Sequence, residues 1–233
     1  MCRQANFVFQ FFIMPLFYQH NINESTRLGV WHIGENEDFF LKKVSLQRSI
    51  THPHKRLQHL AGRYLLSTLF DDFPLEEILI ADTRKPFLPD EKYHFSISHS
   101  GYFAAAIASS KSRVGVDIEM ISPRIHRIAD KFLSDDEKDF FNEDYKMFLD
   151  QWDLKDKVHT EYLTLMWSAK EAVYKWHGEG DVDFKEDIQL LKFAGISHDE
   201  EINLPFVFAK NEIISLSVKG KIFDHAALAW VVS

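Results

Sequence analysis

The sequence predicts an α+β protein built of two similar halves, and three observations carry that reading. Short segments of period two alternate with two long stretches of helical period. The pattern Gly29-Val30-x-x-Ile33, followed by a helix and then strands, returns as Gly115-Val116-x-Ile118 with the same kinds of element after it. The 233 residues, 45% hydrophobic and 27% charged, suffice for one large domain or two halves that each bury a core.

Residues 28–33 read as the first strand. Pro53 suits the first turn of a helix, and Leu57, Leu60, Ala61, Tyr64, Leu65 and Leu69 follow at helical spacing. Arg56, His59 and Arg63 occupy another face. Residues 72–82 form a connector with a short apolar run, 78–81. Tyr93, Phe95 and Ile97 alternate with His94, Ser96 and Ser98, the strand period. Ser100-Gly101 reads as a turn, 102–108 as a strand covered on both faces, and 111–113 as a second turn. On the next strand Val114, Val116 and Ile118 face inward, which puts Asp117 and Glu119 together on the other face. Residues 124–160 are helical and charge-rich. Within them Ser134-Asp135-Asp136-Glu137 matches a capping box, and 153–160 reads as a polar loop. A helix over 161–177 is stopped by Gly178 and Gly180. Strands follow at 188–193, 206–209, 213–218 and 226–232.

Composition excludes several classes. The net charge of −8 disfavours nucleic acid as the main partner, so an anionic substrate must meet a local cluster of Lys and Arg. The single cysteine, Cys2, rules out intrachain disulfides and cysteine zinc sites and fits a reducing, cytoplasmic setting. Residues 7–17 are largely apolar, but a membrane span takes about 20 residues. Bulky Leu16, Phe17 and Tyr18 do not resemble a signal-peptidase site. The reading adopted is that Met14 is the natural start, within an N-terminal extension over 1–27. The halves then run 28–113 and 114–233, the second carrying the metal site.

The chemistry concentrates in two places. On the helix, Tyr162, Leu165, Met166, Ala169, Val173 and Trp176 form one stripe. Trp167, Glu171, Tyr174 and Lys175 lie opposite, with Lys170 on the shoulder. Taken alone, Glu171 and Lys175 read as an ion pair on a wet face, worth about 0.2–0.5 kcal/mol. Asp117 and Glu119 on a strand repel each other and otherwise read as an exposed sheet face. One hard cation shared with Glu171 resolves both puzzles. Three carboxylates favour Mg²⁺, or Mn²⁺, over zinc. The Arg84-Lys85-Pro86 turn, Ser98-His99 and the Arg56 face are candidates for binding phosphate, each also readable as ordinary surface or strand-end charge.

These residues resemble the 4′-phosphopantetheinyl transferases, in their larger pseudodimeric type that includes the surfactin-synthetase activator. The resemblance rests on Lys85-Pro86, Phe95-Ser96-Ile97-Ser98-His99-Ser100, Gly115-Val116-Asp117-Ile118-Glu119, the run from Lys131 to Glu137, and Trp167-Ser168-Ala169-Lys170-Glu171-Ala172-Val173-Tyr174-Lys175. It implies two halves, each a small antiparallel sheet packed on a long helix, with the active site in the cleft between them. It further implies transfer of the 4′-phosphopantetheine arm of coenzyme A to a serine of an acyl or peptidyl carrier protein, releasing adenosine 3′,5′-bisphosphate. Asp117, Glu119 and Glu171 match the metal ligands, and Lys175 a phosphate contact. Lys85, Pro86, Ser98 and His99 match coenzyme A contacts, Arg56 a loosely aligned 3′-phosphate contact. Lys170 is a candidate for charge on the leaving group. Glu137 is either the general base or simply part of the capping box. Trp167 and Tyr174 are expected to pack against the other half at the cleft. Arg84 stands where the family usually has glycine. A pseudodimer of this kind is expected to be a monomer, without nucleic-acid or membrane partners. The rivals are a metal-dependent phosphodiesterase or nuclease, and a non-catalytic module binding coenzyme A or a carrier protein.

Overall fold

The computed structural model describes residues 15–46, 49–139, 152–192, 198 and 200–233, with 152–155 as main chain only. The readings of Met14, of a helix through 140–151 and of a strand reaching residue 193 lie outside the described residues. In chain order the elements are β1 (Leu16–Asn23), β2 (Thr26–His32), α1 (Glu37–Leu41), α2 (Pro53–Leu69), β3 (Leu79–Ile80), β4 (Pro86–Phe87), β5 (His94–Ser100), β6 (Phe103–Ser109) and β7 (Val114–Met120). There follow α3 (Ala129–Phe132), α4 (Trp152–His177), β8 (Ile188–Leu190), β9 (Ile202–Phe208), β10 (Ile214–Ile222) and β11 (Ala226–Val232).

The strands form an antiparallel sheet of order β1-β2-β6-β5 and another of order β7-β11-β10-β9-β8, with β3 and β4 as a separate ribbon. The fold is therefore α+β with antiparallel sheets. α2 covers the first sheet through Leu60, Leu65 and Leu69, against Tyr93, Phe95 and Ala106. α4 covers the second through Tyr162, Leu165, Met166, Ala169, Val173 and Trp176, all buried. The uncovered faces meet in a third core, where Val114, Val116 and Ile118 pack with Leu28, Val30 and Trp230. Among the described residues no helix is long and apolar enough to cross a membrane.

Three elements differ from expectation. Residues 16–27 are not an extension: β1 pairs with β2 and forms the edge of the first sheet. Its half-buried positions include Tyr18 and His20, while Phe17 is exposed, so its period-two signal is blurred. The polar stretch 153–160 is helical and belongs to α4. It contains neither glycine nor proline, and the exposed Lys157 pairs with the buried Glu161 one turn on, at 3.6 Å. β9 begins at Ile202 despite Pro205, which lies opposite the end of β8: its carbonyl accepts from the Leu191 amide at 2.8 Å, and the ladder of β8 ends there, so the missing N–H breaks no pairing within it.

Candidate active site

A seam between the sheets builds the site. Ser96, Ser98 and Ser100 alternate along edge strand β5 and face edge strand β7. The Val116 amide donates to Ser96 Oγ at 3.2 Å, and Ser98 Oγ donates to Asp117 Oδ1 at 2.6 Å. Ser100 Oγ donates to Glu119 Oε2 at 2.7 Å and accepts from the Met120 amide at 3.1 Å. Serines in rising order meet β7 positions in rising order, so the two strands run side by side in the same direction. Hydroxyls do here what main-chain pairing does inside each sheet.

Gly115 lets β7 lie against α4. A Cβ there would stand 2.0 Å from the Ala172 carbonyl oxygen and 2.8 Å from the Trp176 nitrogen. This close approach brings Asp117 and Glu119 up to Glu171 and Lys175. Lys175 Nζ donates to Asp117 Oδ1 at 2.6 Å and to Ser98 Oγ at 2.9 Å. Asp117 is 2% exposed, and its other oxygen, Oδ2, is buried without a hydrogen-bond partner. Burial, then the Asp117 charge and to a lesser degree Glu119, push Glu171 up to about 7, although Lys175 opposes them. Burial and Asp117 also raise Glu119, against hydrogen bonds from Ser100 and Trp167 and the charge of Lys175.

Crowded carboxylates that resist ionisation, together with one orphaned buried oxygen, suit a hard divalent cation. Among the described residues no three acidic, histidine or cysteine side chains are already gathered closely enough to hold an ion. The ammonium of Lys175 instead supplies the positive charge at Asp117.

Beside Lys175 a cleft of about 230 Å³ opens between the two sheet systems, lined by Lys85, Pro86, Phe95, Ser96, Ile97 and Tyr174 among others. Lys85 is tied to the end of α4: its Nζ donates to the Trp176 carbonyl at 3.3 Å. A Cβ at Gly178 would meet that Nζ at 2.3 Å, and Gly178 has φ +77°. Both the helix stop and the seat of Lys85 therefore require glycine there. Thr83 Oγ1 donates to the Gly178 carbonyl at 3.1 Å.

Next to Lys85, Arg84 holds φ +67°, the left-handed region that costs an L-residue about 1–2 kcal/mol. Glycine loses more entropy on folding, so Arg84→Gly should raise stability by a net of about 0.5–1 kcal/mol. Urea unfolding checks this; a loss of stability would show that the arginine side chain contributes more than its backbone costs.

Other sequence candidates lie elsewhere. Glu137 closes the capping box: Oε2 accepts from the Ser134 amide at 2.9 Å, and Ser134 Oγ accepts from the Glu137 amide at 3.3 Å. The same Oε2 accepts from Lys170 Nζ at 2.7 Å, and Oε1 from the Leu190 amide at 2.9 Å. Neither oxygen is open to a substrate, so the reading as general base is withdrawn. Lys170 is fully buried and also donates to the Phe184 carbonyl at 2.7 Å, so it too is corrected, from a ligand contact to a buried pair.

Arg56 is gripped by Glu37 through two bonds of 2.7 Å and donates to the Ile50 carbonyl at 3.0 Å. Arg63 is buried and bonded to His59 rather than wet. His99 sits exposed on β5. Trp167 and Tyr174 both rest against Phe184 of their own half, at 5.4 and 5.7 Å between ring centres, and Tyr174 also lines the cleft. Ser100 was read as a turn residue, yet it shares the parity of Ser96 and Ser98, a signal that could have found it.

The chain is similar to known proteins over part of its length. The model of the 4′-phosphopantetheinyl transferase superfamily matches residues 113–226. The match covers just under half of the chain, and those residues are similar to that superfamily. The matched region includes Asp117, Glu119, Glu171 and Lys175. The 4′-phosphopantetheinyl transferase AcpT of Escherichia coli (strain K12) is 34% identical over 131 residues, 53% of this chain and 59% of the relative. The 4′-phosphopantetheinyl transferase Sfp of Bacillus subtilis (strain 168) is 37% identical over 98 residues, 41% of this chain and 38% of the relative. AcpT of Salmonella typhimurium is 41% identical over 71 residues, 30% of this chain and 36% of the relative. The chain thus spans between about a third and three-fifths of the length of these phosphopantetheinyl transferases.

Proposed function

We propose that the protein transfers the 4′-phosphopantetheine arm of coenzyme A to a serine hydroxyl of an acyl or peptidyl carrier protein, releasing adenosine 3′,5′-bisphosphate. The observation that carries this reading is the trio Asp117, Glu119 and Glu171 beside Lys175, at a cleft whose far wall holds Lys85. The similarity of residues 113–226 to the superfamily, and the activity by which the similar proteins are named, support it.

In this reading the cleft lies between a first half ending at Arg113 and a second half, 114–233. Coenzyme A enters that cleft, its phosphates facing Lys85 and Lys175. Ser98 and the exposed His99 contact the same ligand from β5. Asp117, Glu119 and Glu171 would hold Mg²⁺, or Mn²⁺, which when bound neutralises pyrophosphate charge. Lys175, which donates to Asp117 and Ser98 at the cleft, would turn to the phosphates of the bound ligand. Catalysis is then mostly positioning and charge neutralisation. With Glu137 committed elsewhere, the serine proton goes to solvent at the cleft mouth. The protein works as a monomer in the cytoplasm, on neither nucleic acid nor membranes.

The test is the intact mass of an apo carrier protein after incubation with the chain, coenzyme A and Mg²⁺. The expected result is a gain of one phosphopantetheine, abolished by chelation and restored by Mg²⁺. No gain on acyl or peptidyl carriers would overturn the reading, and Mg²⁺-dependent cleavage of DNA or RNA in its place would favour a phosphodiesterase.

A further inference from the structure

A second cavity, of about 250 Å³, adjoins the cleft and shares Lys85 and Pro86 with it. Its other basic side chains are His94, Arg113 and His177, from β5, the start of β7 and the end of α4. Its carboxylates, Glu91 and Glu179, are both exposed to solvent.

Among the described residues neither Lys85 nor Arg113 forms an ion pair with a carboxylate. The Arg113 guanidinium lies 5.5 Å from the centre of the Trp176 ring, and among the described residues no carboxylate forms an ion pair with it. The His177 ring is buried against Phe208, 4.6 Å between centres, and its Nε2 has no hydrogen-bond partner. The Glu179 oxygen stands 3.9 Å from that nitrogen, outside bonding range. Burial and then Arg113 push Lys85 down to about 8, with Glu179 opposing. Burial pushes His177 down as well; Glu179 opposes this, while Lys210, Arg113 and Lys85 add to it. Lys85 and Arg113 are matched in number by Glu91 and Glu179, but both carboxylates face solvent while the Arg113 guanidinium has no ion-pair partner among the described residues.

We propose that this cavity binds a phosphate-class oxyanion through Arg113 and His177, with Lys85 at its border to the cleft. A guanidinium fork suits such oxyanions, and the unpartnered imidazole nitrogen supplies another donor. Leu88 and Val114 line the cavity with apolar surface. The anion comes either from free inorganic phosphate or from a phosphate group of a ligand whose remainder occupies the cleft. Since Lys85 borders both volumes, an anion here favours its charged form, which couples the cavity to the cleft reciprocally.

Isothermal titration of inorganic phosphate into the whole chain, at constant ionic strength, tests the proposal. Saturable binding at one site is expected, weakened about tenfold or more in Arg113→Ala, a change of about 1.4 kcal/mol, with Arg113→Lys in between. The Arg113 main chain pairs with Ser233 at 3.0 and 3.1 Å, and the side chain is exposed, so truncation spares the strand; circular dichroism checks this. Non-saturable binding, or equal affinity in Arg113→Ala, overturns the site. Repeating the titration with coenzyme A and with 3′-dephospho-coenzyme A separates the sources. Phosphate affinity kept with both ligands identifies a free-anion site. Affinity lost with coenzyme A alone identifies the ligand's own phosphate. Affinity lost with both places the phosphate in the cleft and overturns the proposal. The titration reads binding without turnover, so its failure is a separate result from failure of the transferase reading.

Discussion

Glu171→Gln is expected to lower phosphopantetheine transfer at least about 100-fold, the scale on which a single electrostatic group at a reacting centre acts. The fold should survive, and in one respect improve. In the metal-free protein the Glu171 carboxyl is pushed up to about 7 by burial and by Asp117. A carboxyl with a raised folded pKa makes the folded state bind more protons than the unfolded one. The wild type therefore loses stability as pH climbs from the ordinary carboxylate range through about 7. Glutamine carries no charge and escapes this loss. Without metal, Glu171→Gln should melt above the wild type at pH 8 and close to it below the carboxylate range, and Mg²⁺ should narrow the difference by stabilising only the wild type. Thermal melts at both pH values check it. Near-normal transfer by the variant would sink the assigned role, and a lower melting temperature at pH 8 would sink the electrostatic account.

Lys170→Met is expected to remove about 3–5 kcal/mol of stability, the usual result of stripping one partner from a buried ion pair. Lys170 and Glu137 have side chains 0% and 2% exposed and meet at 2.7 Å. Methionine fills much of the space but leaves the Glu137 carboxylate in a dry interior with only the Ser134 and Leu190 amides. At about 2–4 °C per kcal/mol for a chain of this size, the melting temperature should fall by about 10 °C. The double variant Lys170→Met/Glu137→Gln should recover part of that loss, because no charge is then buried, and the double-mutant cycle isolates the coupling. Calorimetry on the three variants measures this. An unchanged melting temperature with a raised KM for coenzyme A would return Lys170 to the ligand.

Local pattern explains what was legible in the sequence. Strand period alone put Asp117 and Glu119 on one face, and helical period put Glu171 and Lys175 opposite the Tyr162–Trp176 stripe. A carboxylate's partner is a tertiary fact, which period does not report. Lys170 on the shoulder of α4 looks available for a ligand because Glu137, far away in sequence, reads as a capping-box residue or a general base and not as the partner of a buried lysine. Arg56 looked free for the same reason, since Glu37 lies on a different helix. β1 was missed because edge strands bury little, so a tyrosine and a histidine serve as its inward face.

The serine seam has a consequence for assembly. Asp117 and Glu119 belong to one sheet, but the hydroxyls that orient them, Ser98 and Ser100, belong to the other. Neither sheet alone can set those carboxylates in place. A partly folded chain, or one cut between the sheets, would leave them free to rotate and repel. The proposed cation binding would then report that both sheets have docked, with a chain that has not finished folding staying chemically silent.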